Sequence, residues 1–299
     1  MTADLPTSTL GRTGLKVTRL GYGAMEIRGG GRGRPVSDAD ASAILNAVLD
    51  AGINYIDTSQ DYGRSEELIG TSIAHRRTEY VLATKCGCVP AGGEHVWTPD
   101  NCWRGLDLSL ERMQTDYVDV MQLHNPSVGD TEAGGLVESL NAMRATGKVR
   151  WIGVSTTSPY LSTYLANGHF DVFQIPYSGL ERTHENWITA SAAAAIGTVI
   201  RGGVAKGEPA DGRGHPERWD TFAAADLDEL RAPGESRTAF MLRFTLAHPH
   251  VNTTIVGTQS LEHLEENVKA AQTGPLDEST YTEAKQRIER TGVTAEAAL

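Results

Sequence analysis

The stretch Ile53-Asn54-Tyr55-Ile56-Asp57-Thr58-Ser59-Gln60-Asp61-Tyr62-Gly63 begins as an apolar strand and breaks into a polar turn. It delivers a carboxyl at Asp57 and a phenol at Tyr62. An acid at the end of a buried strand costs free energy unless it is paired or used. Taken alone, the stretch also fits a satisfied structural Asp beside a surface Tyr. Two later runs shift that balance. Tyr80–Lys85, YVLATK, ends on a lysine, and Tyr117–His124, YVDVMQLH, ends on a histidine. Three strands therefore each end on an ionisable group. In a parallel barrel such ends gather on one face, where catalytic residues sit.

Working outward, further strand candidates are Leu20–Met25, Val149–Ser155, Asp171–Pro176, Thr198–Ile200 and Thr253–Val256. Helical patterns separate them. Ser37, with Asp40 three residues on, caps one helix, and Gly52 stops it. Ser65-Glu66-Glu67 opens the next, with acids at its positive end, and His75-Arg76-Arg77 reads as its solvated end. Pro99 opens a helix, and others run from about Gly135 to Ala145, from Ser158-Pro159, near 219–231 and 236–247, from Ser260 to Ala271 and near 277–291. The strand–helix alternation, at spacings of roughly 20–35 residues, argues for parallel βα units, and eight of them close a barrel. Residues 8–20 read as a small hairpin turned by Thr13-Gly14. With no internal repeat and no shift in composition, residues 1–299 are expected to form one domain. A doubly wound open sheet would want a glycine fingerprint after the first strand, and none is there. Arg28-Gly29-Gly30-Gly31-Arg32-Gly33-Arg34-Pro35 lacks the Gly-Lys-Ser/Thr ending of a phosphate loop and reads as a mobile loop over the active face.

The 299 residues suffice for one large core, and 39% hydrophobic with 22% charged residues fits a folded chain. A formal net charge of −11 argues against nucleic acid and anionic membranes as general partners, so an anionic ligand must be held by local donors. No apolar run is long enough to span a membrane, and the N-terminus lacks the apolar core of a signal peptide. Three cysteines, Cys86, Cys88 and Cys102, argue for a reducing compartment, so a cytoplasmic location is expected. Cys86, Cys88, His95 and Cys102 match no common zinc spacing, and no metal is expected. Cys86, next to Lys85, reads as an oxidisable bystander at the site mouth.

Asp57, Tyr62, Lys85 and His124, each in its local setting, resemble the catalytic tetrad of the aldo-keto reductase superfamily. Leu20-Gly21-Tyr22-Gly23, Gly153-Val154-Ser155 and the run from Gly257 to Glu266-Asn267 extend the resemblance over almost the whole chain. It implies an α/β fold, a (β/α)8 TIM barrel whose N-terminal β-hairpin covers the barrel bottom. It implies an NADP(H)-dependent oxidoreductase interconverting a carbonyl (aldehyde, ketone or sugar-like) and an alcohol. Tyr62 would be the general acid/base and Lys85 would draw its pKa toward neutrality. Asp57 would keep Lys85 charged, and His124 would orient the substrate oxygen as a neutral donor.

The same resemblance implies a set of cofactor contacts: Gly23, Ala24, Met25, Asp57, Ser155, Thr156, Gln174, Arg201, Gly202, Lys206, Gly257, Thr258, His263, Glu266 and Asn267. Ser155 and Gln174 would hold the carboxamide, and Glu266-Asn267 the adenine. Tyr62, His124, Trp97 and Asn125 would line the substrate pocket, with residues 28–35 and Tyr22 or Met25 nearby. Departures from the family pattern bear on the cofactor. Thr156 stands where Asn is common, and Arg201 where an aromatic often stacks. Gly257 and His263 stand where strong NADPH binders carry Lys and Arg. NADPH is expected to be preferred by a reduced margin, with NADH possible and Lys206 or Arg213 as substitute phosphate ligands. A different class on the same fold is a nucleotide-binding regulatory protein with little turnover, resembling potassium-channel β subunits. A lyase or isomerase is a third.

Overall fold

Eight parallel strands close on themselves in the computed structural model, which describes residues 4–29, 34–89, 93–209 and 215–298. A short antiparallel hairpin of β1 (Thr7–Thr9) and β2 (Lys16–Thr18) comes first. The barrel strands are β3 (Leu20–Gly23), β4 (Tyr55–Asp57), β5 (Val81–Cys86), β6 (Val118–His124), β7 (Val149–Ser155), β8 (Val172–Pro176), β9 (Gly197–Arg201) and β10 (Thr253–Val256). They pair in chain order, and β10 closes the ring against β3. The helices are α1 (Asp38–Asp50), α2 (Ser65–Ile73), α3 (Pro99–Met113), α4 (Val128–Ala133), α5 (Leu136–Ala145), α6 (Tyr160–Asn167), α7 (Glu185–Ala193), α8 (Pro216–Ala224), α9 (Arg237–Ala247), α10 (Leu261–Thr273) and α11 (Glu278–Arg290).

Side chains alternate across a strand, so every second residue enters the barrel. The outward set packs against the helices in one large core that includes Ile56, Leu82, Met121, Leu123, Ile152, Phe173 and Ile200. The inward set forms a second, smaller cluster from Leu10, Val17, Tyr55, Val81, Ala83, Val120, Val172 and Val199. Leu10 and Val17 belong to the hairpin segment, which therefore plugs the N-terminal end of the barrel. Arg12 pins it there, its Nε 3.0 Å from Asp171 and its Nη2 2.6 Å from the Phe170 carbonyl. Two residues further along five of the strands, the inward position changes character. Tyr55 is followed by Asp57, Ala83 by Lys85, Val120 by Gln122 and then His124, Val172 by Gln174, and Val199 by Arg201. An apolar lower layer thus carries a polar upper layer at the C-terminal mouth.

Several local expectations change. The first barrel strand ends at Gly23, and Ala24–Arg28 winds into a 3-10 turn. A helix not foreseen in the sequence, α4, follows β6, with Ser127 and Asp130 forming its capping box. Arg77 is not a solvated helix end. Its guanidinium stacks 4.1 Å from the Tyr117 ring and binds the buried Asp119 carboxylate at 2.7 Å. Glu66, one of the acids read at the positive end of its helix, is fully buried and accepts from Thr84 Oγ1 at 2.8 Å. Residues 30–33 of the Gly/Arg loop, and Arg213, lie outside the described residues.

Candidate functional site

The mouth of the barrel holds the three strand-end residues Asp57, Lys85 and His124, together with Tyr62 from the turn after β4. Asp57 and Lys85 are fully buried and meet at 2.6 Å. Lys85 also donates to the Thr58 carbonyl at 2.7 Å. The other Asp57 oxygen accepts from Gln122 Nε2 at 2.9 Å and from Gln174 Nε2 at 2.8 Å. One carboxylate thus gathers an ammonium and two amides. Such a fully hydrogen-bonded arrangement is what makes a buried charge pair tolerable. Burial alone would lower the Lys85 pKa, but Asp57 and Tyr62 outweigh it and the net shift is upward, so Lys85 is an ammonium.

Tyr62 sits above this pair, with the Lys85 ammonium 4.9 Å from its ring centroid. The turn that presents it is tight: the Tyr62 amide donates to the Ser59 carbonyl at 3.0 Å. Gly63 follows at φ +49°, where a Cβ would stand 2.4 Å from the Arg28 carbonyl oxygen, so only glycine fits. The phenol pKa was expected to fall toward neutrality. Instead burial pushes it up, the Lys85 charge only partly opposes this, and the net shift is upward. The phenol is therefore protonated across the neutral range.

His124 stands edge-on to Tyr62, ring centroids 6.0 Å apart. Burial and the nearby Lys85 charge push its pKa down to about 3, against the pull of Asp61, so the imidazole is neutral. Its Nδ1 lies 3.0 Å from Cys88 Sγ and 3.4 Å from Ser59 Oγ. Ser59 donates to Asp61 at 2.5 Å.

The remaining expected contacts divide. Gly23, Ser155, Gln174, Arg201, Gly202, Gly257 and Thr258 lie at the C-terminal ends of β3, β7, β8, β9 and β10, on the same rim as Asp57 and Lys85. Thr156 is buried beside Ser155. His263, Glu266 and Asn267 lie on α10, and Ser260 Oγ caps that helix by accepting from the His263 amide at 3.3 Å. Lys206 lies on the loop after β9, its Nζ 3.3 Å from His215 Nε2. Ala24 is buried and Met25 exposed. Asn125, exposed at φ +61°, accepts from Ser155 Oγ at 3.4 Å. Trp97 is half-buried over Gly87 and 5.2 Å from the His95 ring.

Two assignments are revised. Tyr22 does not line a pocket: it is buried, and its hydroxyl donates to the Thr258 carbonyl at 2.8 Å. Cys86 is not at the site mouth; it is buried against the Cys102 thiol, behind the barrel wall. Two groups were missed. Gln122 was passed over, although an amide between Met121 and Leu123, two residues before His124, is the kind of signal that asks for a partner. Asp61, inside the stretch read most closely, was not weighed as a partner of His124.

The comparisons follow this geometry. The Aldo/keto reductase family profile matches residues 19–289, and the chain belongs to that family. The uncharacterized oxidoreductase YqkF of Bacillus subtilis (strain 168) is 30% identical over 289 residues, 90% of this chain and 92% of its own. The L-galactose dehydrogenase of Arabidopsis thaliana is 29% identical over 94% of this chain and 93% of its own. Among solved structures, the aldo-keto reductase AKR11C1 from Bacillus halodurans (holo form) superposes with a TM-score of 0.82 at 28% identity, covering 96% of each chain.

Proposed function

We propose that this protein interconverts a small carbonyl compound and its alcohol with NADP(H), Tyr62 passing the proton. The observation that carries the reading is the buried Asp57–Lys85 pair beneath a protonated Tyr62, with a neutral His124 beside it. When bound, a nicotinamide cofactor supplies the hydride that no side chain can. The donor set at the rim fits such a group. Arg201, at an inward-facing position of β9, has a buried Nε without a hydrogen-bond partner among the described residues. Ser155 offers a hydroxyl, and α10 offers an N-terminus suited to phosphate, with Glu266 and Asn267 in its second turn for the base. Gln174 fits with one change: one of its two Nε2 protons is committed to Asp57, so its carbonyl oxygen and the second N–H are left for a carboxamide.

During reduction, Tyr62 donates its proton to the oxygen as negative charge develops there. The raised phenol pKa keeps that proton in place until it is needed. Lys85 then stabilises the phenolate, and Asp57 holds the ammonium charged and fixed. Neutral His124 hydrogen-bonds the substrate oxygen and sets its direction. Gly257 and His263 leave the 2′-phosphate to Lys206, so NADPH is preferred to NADH by a modest factor. The name of the Arabidopsis relative supports including sugars among the substrates. The test is oxidation of NADPH and NADH with a panel of aldehydes, ketones and sugars, with Tyr62→Phe beside the wild type. Turnover should fall by about 10²-fold or more in the variant while cofactor affinity stays nearly constant. Equal single-turnover rates would remove Tyr62 from the role of acid.

A further inference from the structure

Three loops bring four metal-binding side chains to one point beside the candidate site. Asp61 comes from the turn after β4, Cys88 and His95 from the loop after β5, and His124 from the end of β6. One ligand atom from each lies within 4.8 Å of every other. Within the group, Cys88 Sγ to His124 Nδ1 is 3.0 Å and Asp61 Oδ1 to His124 Nδ1 is 3.6 Å. A tetrahedral zinc ion with ordinary N, O and S bond lengths needs ligand–ligand edges of roughly 3.3–3.8 Å. The set therefore requires shifts of a fraction of an ångström to about one ångström.

Cys88 and the residue after His95 are tied down by hydrogen bonds. Asn101 Nδ2 donates to the Cys88 carbonyl at 3.2 Å and to the Val96 carbonyl at 3.0 Å. The Val96 amide donates to the Gly87 carbonyl at 2.8 Å. The His95 ring lies 5.1 Å from the His124 ring, centroid to centroid. None of this depends on the cysteine spacing, which by itself suggests no metal. Cys86 and Cys102 are turned away from the cluster.

We propose that Asp61, Cys88, His95 and His124 form a zinc site at the substrate side of the mouth, and that its occupancy suppresses turnover. The second half rests on the function proposed above. A thiolate, a carboxylate and two imidazoles are the ligands of a borderline-soft ion, and they balance its double charge. Mg²⁺ and Ca²⁺, which want oxygen ligands, fit poorly. Binding releases the Cys88 thiol proton to solvent and ties His124 Nδ1 to the metal. Ligation by His95 fixes its ring against the imidazole that the substrate oxygen must reach.

The experiment separates the two halves. Zn²⁺ affinity is measured on the whole protein by competition with a chromophoric chelator, and Co²⁺ is added as a spectroscopic probe. Cys88→Ser and His95→Ala are measured in parallel, with circular dichroism to confirm folding. One equivalent of Zn²⁺ should bind, and each variant should bind about tenfold more weakly or worse. The Co²⁺ form should show tetrahedral d–d bands and a thiolate charge-transfer band that Cys88→Ser abolishes. Wild-type affinity in both folded variants, or a Co²⁺ spectrum without the sulfur band, would overturn the site. If turnover is found with a carbonyl substrate, Zn²⁺ should inhibit it competitively with that substrate and a chelator should restore it. Undiminished turnover at saturating Zn²⁺ would overturn the regulatory role alone. Absence of turnover with every substrate would leave the binding result standing and count against the proposed function.

Discussion

Asp57→Asn is the sharpest perturbation of the buried network. The carboxylate accepts Lys85 on one oxygen and the amides of Gln122 and Gln174 on the other. An amide of the same shape cannot accept on both ends. In one orientation its NH2 faces the ammonium, and in the other it faces two NH2 donors. Both charges are fully buried, so no solvent screening softens the loss. Removing one partner of such a pair costs about 3–5 kcal/mol. At roughly 2 °C per kcal/mol for a chain of this size, the midpoint should fall by about 6–10 °C. Burial alone lowers the Lys85 pKa, so without its counter-charge Lys85 should lose its proton as pH rises through a depressed value. Carbonyl reduction should then fall about 10²-fold and acquire an alkaline limb that the wild type lacks at the same pH. Thermal unfolding and cofactor oxidation against pH give both readings. A midpoint within about 1 °C of wild type, with an unchanged pH profile, would refute the assignment of this network.

Two further outcomes are expected. His248 is buried and His124 largely so, and their pKa values are pushed down, by burial foremost, to about 4 and about 3, against about 6.5 in the unfolded chain. The unfolded state therefore binds more protons between those values, and stability falls as pH drops below about 6.5. Each histidine should remove about 2 kcal/mol at pH 5 relative to pH 8, and His248→Gln should flatten the slope of urea-measured stability; parallel curves for variant and wild type would disprove this. Gly87 adopts φ +88°, and a Cβ there would lie 1.9 Å from the Trp97 ring. Gly87→Ala should displace Trp97 and cost about 1–3 kcal/mol in stability, read by denaturant unfolding, and an unchanged midpoint would argue that the loop is not packed as described.

The barrel was legible because its strands alternate faithfully. Tyr55 and Asp57, Ala83 and Lys85, and Val120 and Gln122 show the same step from apolar to polar toward the strand end, and a strand-end rule converts that step into one face. What escaped the sequence depends on depth or on loops. The direction of the Tyr62 shift is a contest between burial and the Lys85 charge, and depth is not written in a run of letters. Gln122 reads as one more strand residue until Asp57 is seen across the barrel. Helix α4 is short, and its capping box of Ser127 and Asp130 was buried in what looked like connecting loop. Asp61, Cys88, His95 and His124 come from three strand-end segments whose sequence spacing obeys no period. Their convergence follows only from barrel closure.

That closure also fixes which of two neighbouring bases carries charge. Lys85 and His124 stand on adjacent strands in one buried space, where two cations would repel strongly. Asp57 reaches Lys85 from the strand on the other side, so the ammonium is the form that is stabilised. The charge kept on Lys85 then helps hold His124 neutral, adding to the effect of burial. Asp61 pulls the imidazole in the opposite sense from the turn above, without prevailing. One carboxylate at the end of β4 thus sets the protonation of a residue on β6 that it does not touch. The coupling has a sign: at the low pH where His124 titrates, Lys85 stays protonated in Asp57→Asn as well, and with the carboxylate gone its charge is unopposed, so the His124 pKa should fall further. Proton NMR of the His124 ring would read this shift directly, and a ring that titrates identically in both proteins would break the link between the two bases.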